Sequence, residues 1–261
     1  MEPTIIGKLK LIDSKIKQGK NCTGNVIYCD NTYGDVVLEK SILTFNGSNG
    51  LMYIVGGNHK SLKILATANN DTTLYIGQNS SFHKSATIHL ACSECSSIVI
   101  GNDCMFSRDI WIRTGDSHCV YSVSTHGRIN NPKNVILGDH VWIGQDSTIL
   151  KGATIGSGAI VGGRSLVTGK KLFSCTSYGG SPAKMLSEQG EVFFTKPDVN
   201  SCTRRQQSEY DHFDGDDYVF TYNEQEYYID KINEFLAEYK TVDERIEFFK
   251  NLPNTKNRFS I

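Results

Sequence analysis

Leu137-Gly-Asp-His-Val-Trp, Ile143-Gly-Gln-Asp-Ser-Thr, Ile149-Leu-Lys-Gly-Ala-Thr, Ile155-Gly-Ser-Gly-Ala-Ile, Val161-Gly-Gly-Arg-Ser-Leu, Val167-Thr-Gly-Lys: from Leu137 onward the chain places an aliphatic residue at every sixth position. Four positions after each opener stands a small or β-branched residue, in turn Val141, Ser147, Ala153, Ala159 and Ser165. So short a period marks a parallel β-helix, because one turn of such a coil cannot bury its own apolar face and must stack on its neighbours. Three hexads to a triangular turn would line the openers up inside as ladders and put the small residues at the corners. The same phase runs upstream through Ile76, Phe82, Ile88, Ile100, Phe106 and Ile112. The slot at 94 holds Glu94, a carboxylate unsuited to a dry interior, so an outward turn is expected there. A strand-rich sandwich is the competing fold, and two in-phase sets of hexads weigh against it.

Composition narrows the function classes. A chain of 261 residues can hold one large domain or a core with appendages. Its net charge of −1 makes no electrostatic case for nucleic acid or a membrane surface. No run of about 18 apolar residues occurs, so no membrane span is expected. Met1-Glu-Pro-Thr lacks the basic start and apolar core of a signal peptide, which points to a cytoplasmic protein. The 8 cysteines are then expected as reduced, mostly small apolar side chains. Cys92-Ser-Glu-Cys95 has the spacing of metal ligands but no second pair accompanies it, so no metal is expected.

Three regions follow from the patterning. Residues 1–73 read as short strands and turns, either a strand-rich cap or irregular first coils. Residues 74–185 are the repeat domain, interrupted by a loop at 113–135 where the hexads break. Residues 186–261 read as a loop, including Arg204-Arg-Gln-Gln, followed by helices. There Ile229, Ile232, Phe235, Leu236 and Tyr239 share one helical face, and Thr241-Val-Asp-Glu244 is a capping box opening a second helix with Ile246, Phe249 and Leu252 on its apolar side.

The interruption is the functional clue, because a solenoid tolerates insertions only as loops thrown out from its corners, and such loops carry function. This loop holds Asp116-Ser-His118, and histidine is the usual general base near neutral pH. His126 and His140 are competitors in the same region.

From about Ile98 to Leu186 the chain resembles the hexapeptide-repeat acetyltransferases, in particular the bacterial O-acetyltransferases of capsular and polysialic acid polysaccharides. The resemblance rests on Thr114-Gly-Asp-Ser-His118, Gly127-Arg-Ile-Asn-Asn-Pro-Lys, Val135-Ile-Leu-Gly-Asp-His-Val-Trp-Ile-Gly144, Val161-Gly-Gly-Arg-Ser-Leu-Val-Thr and Gly179-Gly-Ser-Pro-Ala-Lys184. It implies a left-handed β-helix, a homotrimer with active sites between subunits, and acetyl-CoA as co-substrate with a glycan as acceptor. By the same resemblance His118 would be the base, Asp116 would orient its imidazole, and Trp142 would sit beside the thioester with its backbone N–H on the oxyanion. Gly144, Ala159, Gly162, Gly163, Arg164, Thr168, Lys170, Lys171, Pro182 and Lys184 would join Trp142 in holding the coenzyme. Arg113, Arg128 and Lys133 flank the loop and would meet carboxylates of an acidic sugar. The competing functions are N-acetylation of a nucleotide-linked amino sugar and a β-helix scaffold without chemistry.

Overall fold

The computed structural model describes residues 2–59, 61–85, 87–197 and 199–261. Its core is a parallel β-helix with three faces. The coil containing the first two hexads shows the plan: Val135–Leu137 lies on face one, Trp142–Ile143 on face two and Thr148–Ile149 on face three. Face one is an eight-stranded sheet, beginning at Thr4–Ile6 and ending at Lys171–Leu172, and face three has seven strands. Face two is a six-stranded sheet continued toward the N-terminus by a two-stranded one, with isolated bridges between. The strands of residues 4–68 therefore stack on the same ladders as the hexads.

The sixfold period is an interior period. Leu137, Ile143, Ile149, Ile155 and Val161 are wholly buried, and so are Val141, Ser147, Ala153 and Ala159 at the corners. Ladder pairing stacks Ile100 on Leu137 and Leu137 on Ile155, Phe106 on Ile143 and Ile143 on Val161, Ile112 on Ile149 and Ile149 on Val167. Each buried aliphatic side chain contributes about 1.5–3 kcal/mol of transfer free energy, so the fold rests on these columns. Gly144 shows how tight a corner is: a Cβ there would lie 2.5 Å from the Gly163 nitrogen.

The upstream phase needs one correction. Ile112 stacks on Leu90, and Ile88 stacks on Ile110, so the count of six does not run through position 94. The cause is the turn at Glu94, where Glu94 and Cys95 both take positive φ (53° and 56°) and the carboxylate leaves the coil to pair with Arg128.

The C-terminal extension is folded onto the helix. Thr203 caps a single helical turn, α1 (Arg204–Gln207), where the sequence predicts only loop. α2 (Ile229–Ala237) and α3 (Val242–Lys250) lie on the outer side of face one, burying Ile229, Ile232, Ile246 and Phe249 against Tyr53, Tyr75, Val99 and Ile136. The predicted capping box is present: Thr241 Oγ1 accepts from Glu244 N–H, and the Glu244 carboxylate accepts from Thr241 N–H. Tyr239 departs from the predicted stripe. α2 ends at Ala237, Glu238 is extended (ψ 152°), and Tyr239 is left 72% exposed.

Two buried guanidinium groups fix this layer. Arg258 makes two 2.8 Å bonds to the Asp139 carboxylate at the corner between faces one and two. Arg245 caps the Thr72 carbonyl (2.8 Å) and the Asn49 carbonyl at the opposite corner. A strap through Phe194 and Lys196 seals the first corner. His140 is stacked between Phe194 (4.0 Å) and Tyr218 (4.5 Å), with Nδ1 at 2.5 Å from Asp103 Oδ2 and Nε2 at 2.9 Å from the Phe194 carbonyl oxygen. Face three itself carries no such cover among the described residues, whereas its corner with face one is met by Asn233 of α2, which accepts from Asn134 (3.2 Å). On face three Trp111, 45% exposed, stacks on His89 with ring centroids 3.8 Å apart.

Candidate active site

The loop between Arg113 and Val135 leaves the coil at the corner between faces three and one. Ile100 pairs with Leu137, 37 residues on, where the next coil steps 18 to Ile155, and the ladder nonetheless resumes in register. A polar cage holds the loop. Asn130 is its centre: its Nδ2 donates to the His118 carbonyl (2.8 Å) and to Asp116 Oδ2 (3.0 Å), while its Oδ1 accepts from Val120 N–H (2.8 Å) and Arg128 Nε (3.2 Å). Lys151, on the turn of the next coil, donates to Asp116 and to the Asn130 carbonyl (2.8 Å). On the other side Arg128 pairs with Glu94 from the preceding coil. Hydrogen bonding from Lys151 holds the Asp116 carboxyl below its ordinary range, and Arg128 does the same for Glu94.

His118 is exposed at the tip of this cage, held through its backbone. Asp116 is turned toward Lys151 and Asn130, and no bond from it to the imidazole exists among the described residues. Arg128 is spent on Glu94 and Asn130, and Arg113 donates its Nε to the Gly115 carbonyl (3.0 Å). Both are loop-holding groups in this chain. Lys133 is exposed and has no ion-pair partner among the described residues. His126 is exposed on the same loop, and His140 is buried under the strap.

Trp142 lies elsewhere. It is half-buried on the outer side of face two, between Met105 and Ile160 in the ladder, with its ring 5.6 Å from that of Phe194. Its backbone N–H donates to the Ala159 carbonyl (3.0 Å) as part of the ladder. That corrects the expected oxyanion role, because a donor committed to sheet pairing is not available to a developing charge. Ala159 is also corrected: it is wholly buried, a corner filler with no surface to offer a coenzyme.

The remaining candidates divide between two corners. Gly144, Gly162, Gly163 and Arg164 stack at the corner between faces two and three, with Pro182 and Lys184 just beyond. Arg164 is exposed, 3.5 Å from Asp146. Thr168 and Lys170 sit at the corner between faces three and one, and the exposed Lys171 begins the next strand of face one, so this set lies on the His118 side. Within one chain face three separates the two sets. The glycine-rich corner and the exposed Lys170, Lys171 and Lys184 fit a long phosphorylated ligand lying along the coils, since backbone can be approached closely there and the lysines can meet phosphates.

Cys92 and Cys95 do not form a metal pair. Cys92 points into the core, where burial pushes its thiol up to about 12, and Cys95 points outward. Among the described residues no group of three or more histidine, cysteine or acidic side chains could hold a metal ion.

Residues 134–169 match the model of the bacterial transferase hexapeptide (six repeats) family, and the fold is a left-handed parallel β-helix. The chain is 36% identical over 129 residues to a polysialic acid O-acetyltransferase of Neisseria meningitidis, covering 42% of this chain and 60% of that one. A second such enzyme, of Escherichia coli O1:K1 / APEC, is 31% identical over 96 residues, covering 36% of this chain and 30% of that one. The chain thus spans 60% or less of the length of these relatives. Among solved structures, the polySia specific acetyltransferase NeuO superposes with a TM-score of 0.64 at 26% identity, over 79% of this chain and 93% of that one. The polysialic acid O-acetyltransferase OatWY gives a TM-score of 0.51 at 23% identity, over 79% and 99%.

Sequence reasoning missed Asn130, Lys151 and Glu94, the residues that hold the loop. Asn130 and Lys151 lie inside the quoted motifs but have no local feature that marks them. Glu94 was visible as an intruder in the phase.

Proposed function

We propose that the chain is an O-acetyltransferase that moves an acetyl group from acetyl-CoA to a sugar hydroxyl of a bacterial surface polysaccharide, with residues 74–185 as its transfer domain. The observation that carries this reading is the separation of His118, on the loop at the corner between faces three and one, from Trp142, on face two, with face three left uncovered among the described residues. A homotrimer in which face three and its corners meet a neighbouring copy brings one subunit's loop to the next subunit's Trp142. The C-terminal extension covers face one and the first corner, which directs association to this side. The similarity to two polysialic acid O-acetyltransferases supports the chemistry, and a cytoplasmic site of action suits a polymer acetylated before export.

Acetyl-CoA supplies an activated acyl group. His118 Nε2 or Nδ1 takes the proton of the attacking hydroxyl, a contribution of about 10²–10⁴ in rate, and returns it to the departing thiolate. Arg164, Lys170, Lys171 and Lys184 meet the phosphates, and Trp142 walls the thioester. Because the loop is caged by Asn130 and Lys151, the base is presented without a large ordering cost at the moment of reaction.

Subunit mixing tests this. His118→Ala and Trp142→Ala should each abolish acceptor-dependent CoA release. Copies of the two variants, unfolded and reassembled together at equal ratio, should recover about a quarter of wild-type activity, because a quarter of head-to-tail interfaces pair an intact loop with an intact tryptophan. No recovery, with trimers reformed, would place both residues in one chain's site and defeat the proposal. His118→Ala with wild-type turnover would remove the mechanism.

A further inference from the structure

The first coil carries free positive charge that the transfer site does not use. Leu9 and Leu11 stack on Val36 and Leu38, and Ile16 stacks on Leu43, so these three face the core and the residues between them face outward. Lys10 therefore projects from face two, and Lys15 and Lys17 from face three. Lys8 stands at the corner between faces one and two, where its N–H donates to Asn31 Oδ1 (2.7 Å), and Lys20 at the corner between faces three and one. All five lysines are exposed, and none has an ion-pair partner among the described residues. Against them the first 20 residues hold two carboxylates, Glu2 and Asp13. On the next coil Asp30 accepts from the Tyr53 hydroxyl (2.8 Å), and Glu39 accepts from Ser61 (2.7 Å) and lies 3.6 Å from Lys63, which leaves the exposed Asp35. Charge of either sign would blunt an exposed sheet edge. Five lysines wrapped around one coil also make a field.

The far end of the coil stack has the opposite sign. From Glu209 to Glu226 the chain carries seven carboxylates and no lysine or arginine, and Phe220 N–H fastens this segment to Cys175 Sγ (3.1 Å) on one of the last coils. The net charge of −1 conceals this separation. A polyanion is drawn to the first coil and repelled from the other end. Around the base there is less to hold it: Arg128 is paired with Glu94 and Lys151 with Asp116, which leaves Arg113 and Lys133 without a carboxylate partner among the described residues. Ladder pairing runs from Ile16 through Leu43, Ala66 and Leu90 to Ile112, on the strand that feeds the loop. Those four steps put the lysines about 19 Å along the coil axis from that strand, at the usual strand spacing.

We propose that the first coil is an anchoring site for an anionic polysaccharide, holding a long acceptor while a distant sugar of the same polymer is acetylated at the His118 loop. The proposal rests on the transferase reading and adds to it a second, non-reacting contact with the acceptor. Lys8 and Lys10 stand away from face three, and Lys15 and Lys17 on its outermost strand. A trimer of parallel coils gathers three first coils at one end, where their fields add and a polyanion relieves their mutual repulsion. Tethering raises the local concentration of sugars at the loop, so only a polymer long enough to span both places gains by it.

The test compares the wild-type chain with the combined variant Lys8→Gln, Lys10→Gln, Lys15→Gln and Lys17→Gln. The probes are polysialic acid, a sialic acid disaccharide and vesicles of phosphatidylglycerol. By calorimetry the variant's affinity for the polymer should fall at least about tenfold, with melting temperature and assembly mass unaltered. Raising ionic strength tenfold should weaken the wild type by about as much and the variant far less. In CoA release the KM for the polymer should rise about tenfold with kcat kept, while the disaccharide shows no difference. Arginine at the same four positions should restore polymer affinity. Equal polymer affinity in wild type and the glutamine variant would overturn the proposal. So would an equal loss with the disaccharide, or lysine-dependent capture by the vesicles at a salt concentration where the polymer does not bind. Binding needs no turnover, so the two readings fail separately. Lysine-dependent polymer binding without CoA release from any acceptor would end the transferase reading and sustain the anchor. CoA release from the polymer at the same KM in both chains would end the anchor alone.

Discussion

Removing the side chain of Asn130 should loosen the His118 loop while leaving the β-helix intact. That side chain makes four hydrogen bonds, at 2.8 Å to the His118 carbonyl, 3.0 Å to Asp116, 2.8 Å from Val120 N–H and 3.2 Å from Arg128. At about 0.5–1 kcal/mol each on a partly exposed loop, Asn130→Ala should cost the closed loop about 2–4 kcal/mol. The ladder columns lose nothing, because no residue from 114 to 134 belongs to the apolar core. The loop's open population should therefore rise by roughly 30- to 1,000-fold, since 1.4 kcal/mol is tenfold. Trypsin reads that population directly, as Arg128 and Lys133 lie on the loop and cleavage of a rapidly opening segment follows its equilibrium. Cleavage there should accelerate by the same factor, with the melting temperature moving by less than about 2 °C. Turnover, where the loop presents the base, should fall about 10- to 100-fold. Asn130→Asp keeps two acceptor contacts but loses both donors and sets a second carboxylate against Asp116, so it should behave no better than alanine. Unaccelerated cleavage in Asn130→Ala would refute the cage, and a large fall in melting temperature would show that the loop belongs to the core's cooperative unit.

Ile143→Ala removes a wholly buried side chain between Phe106 and Val161 in the ladder and should lower stability by about 2–5 kcal/mol in chemical denaturation; a loss under about 1 kcal/mol would mean that the columns are not the main support. The strap should respond to acid. Burial acts to raise the Asp103 carboxyl, but hydrogen bonds from His140 and Lys196 outweigh it and hold the group below its ordinary value. Such a group contributes stability that is present above the unfolded value, about 3.9, and is lost as pH falls through the lower folded one. Trp142 fluorescence, sensitive to the Phe194 ring beside it, should thus stay constant from neutral pH down to about 4 and change below it. A change centred near pH 6 would assign the transition to another group.

How much of this was legible in the sequence differs by element. The hexads, their buried corners and the capping box at Thr241 could be read because each depends on residues within six positions of one another. The register upstream could not be followed past Glu94, since a turn of altered length shifts every later count. Tyr239 missed its helix because α2 stops two residues earlier, where the chain turns back to let α3 seat on face one. The site residues were found as types but not as partners. His118 was marked by the break in the repeat. That Arg128 would be drawn to Glu94, 34 residues away, or that Asn130 would hold the His118 backbone, has no local signature.

The sequence by itself determined the period, and with it the interior, because every hexad must bury its opener against the coil above and below. Only the tertiary structure decided which groups face outward and remain free. Stacking consumes the Trp142 N–H, hides Ala159, and divides the candidate residues between two corners of a triangle. The physical reason is that burial in a repeating coil is a local and periodic demand. Hydrogen bonds within the loop and from the C-terminal helices to the coils join residues from 12 to 173 positions apart, and no pattern along the chain announces them.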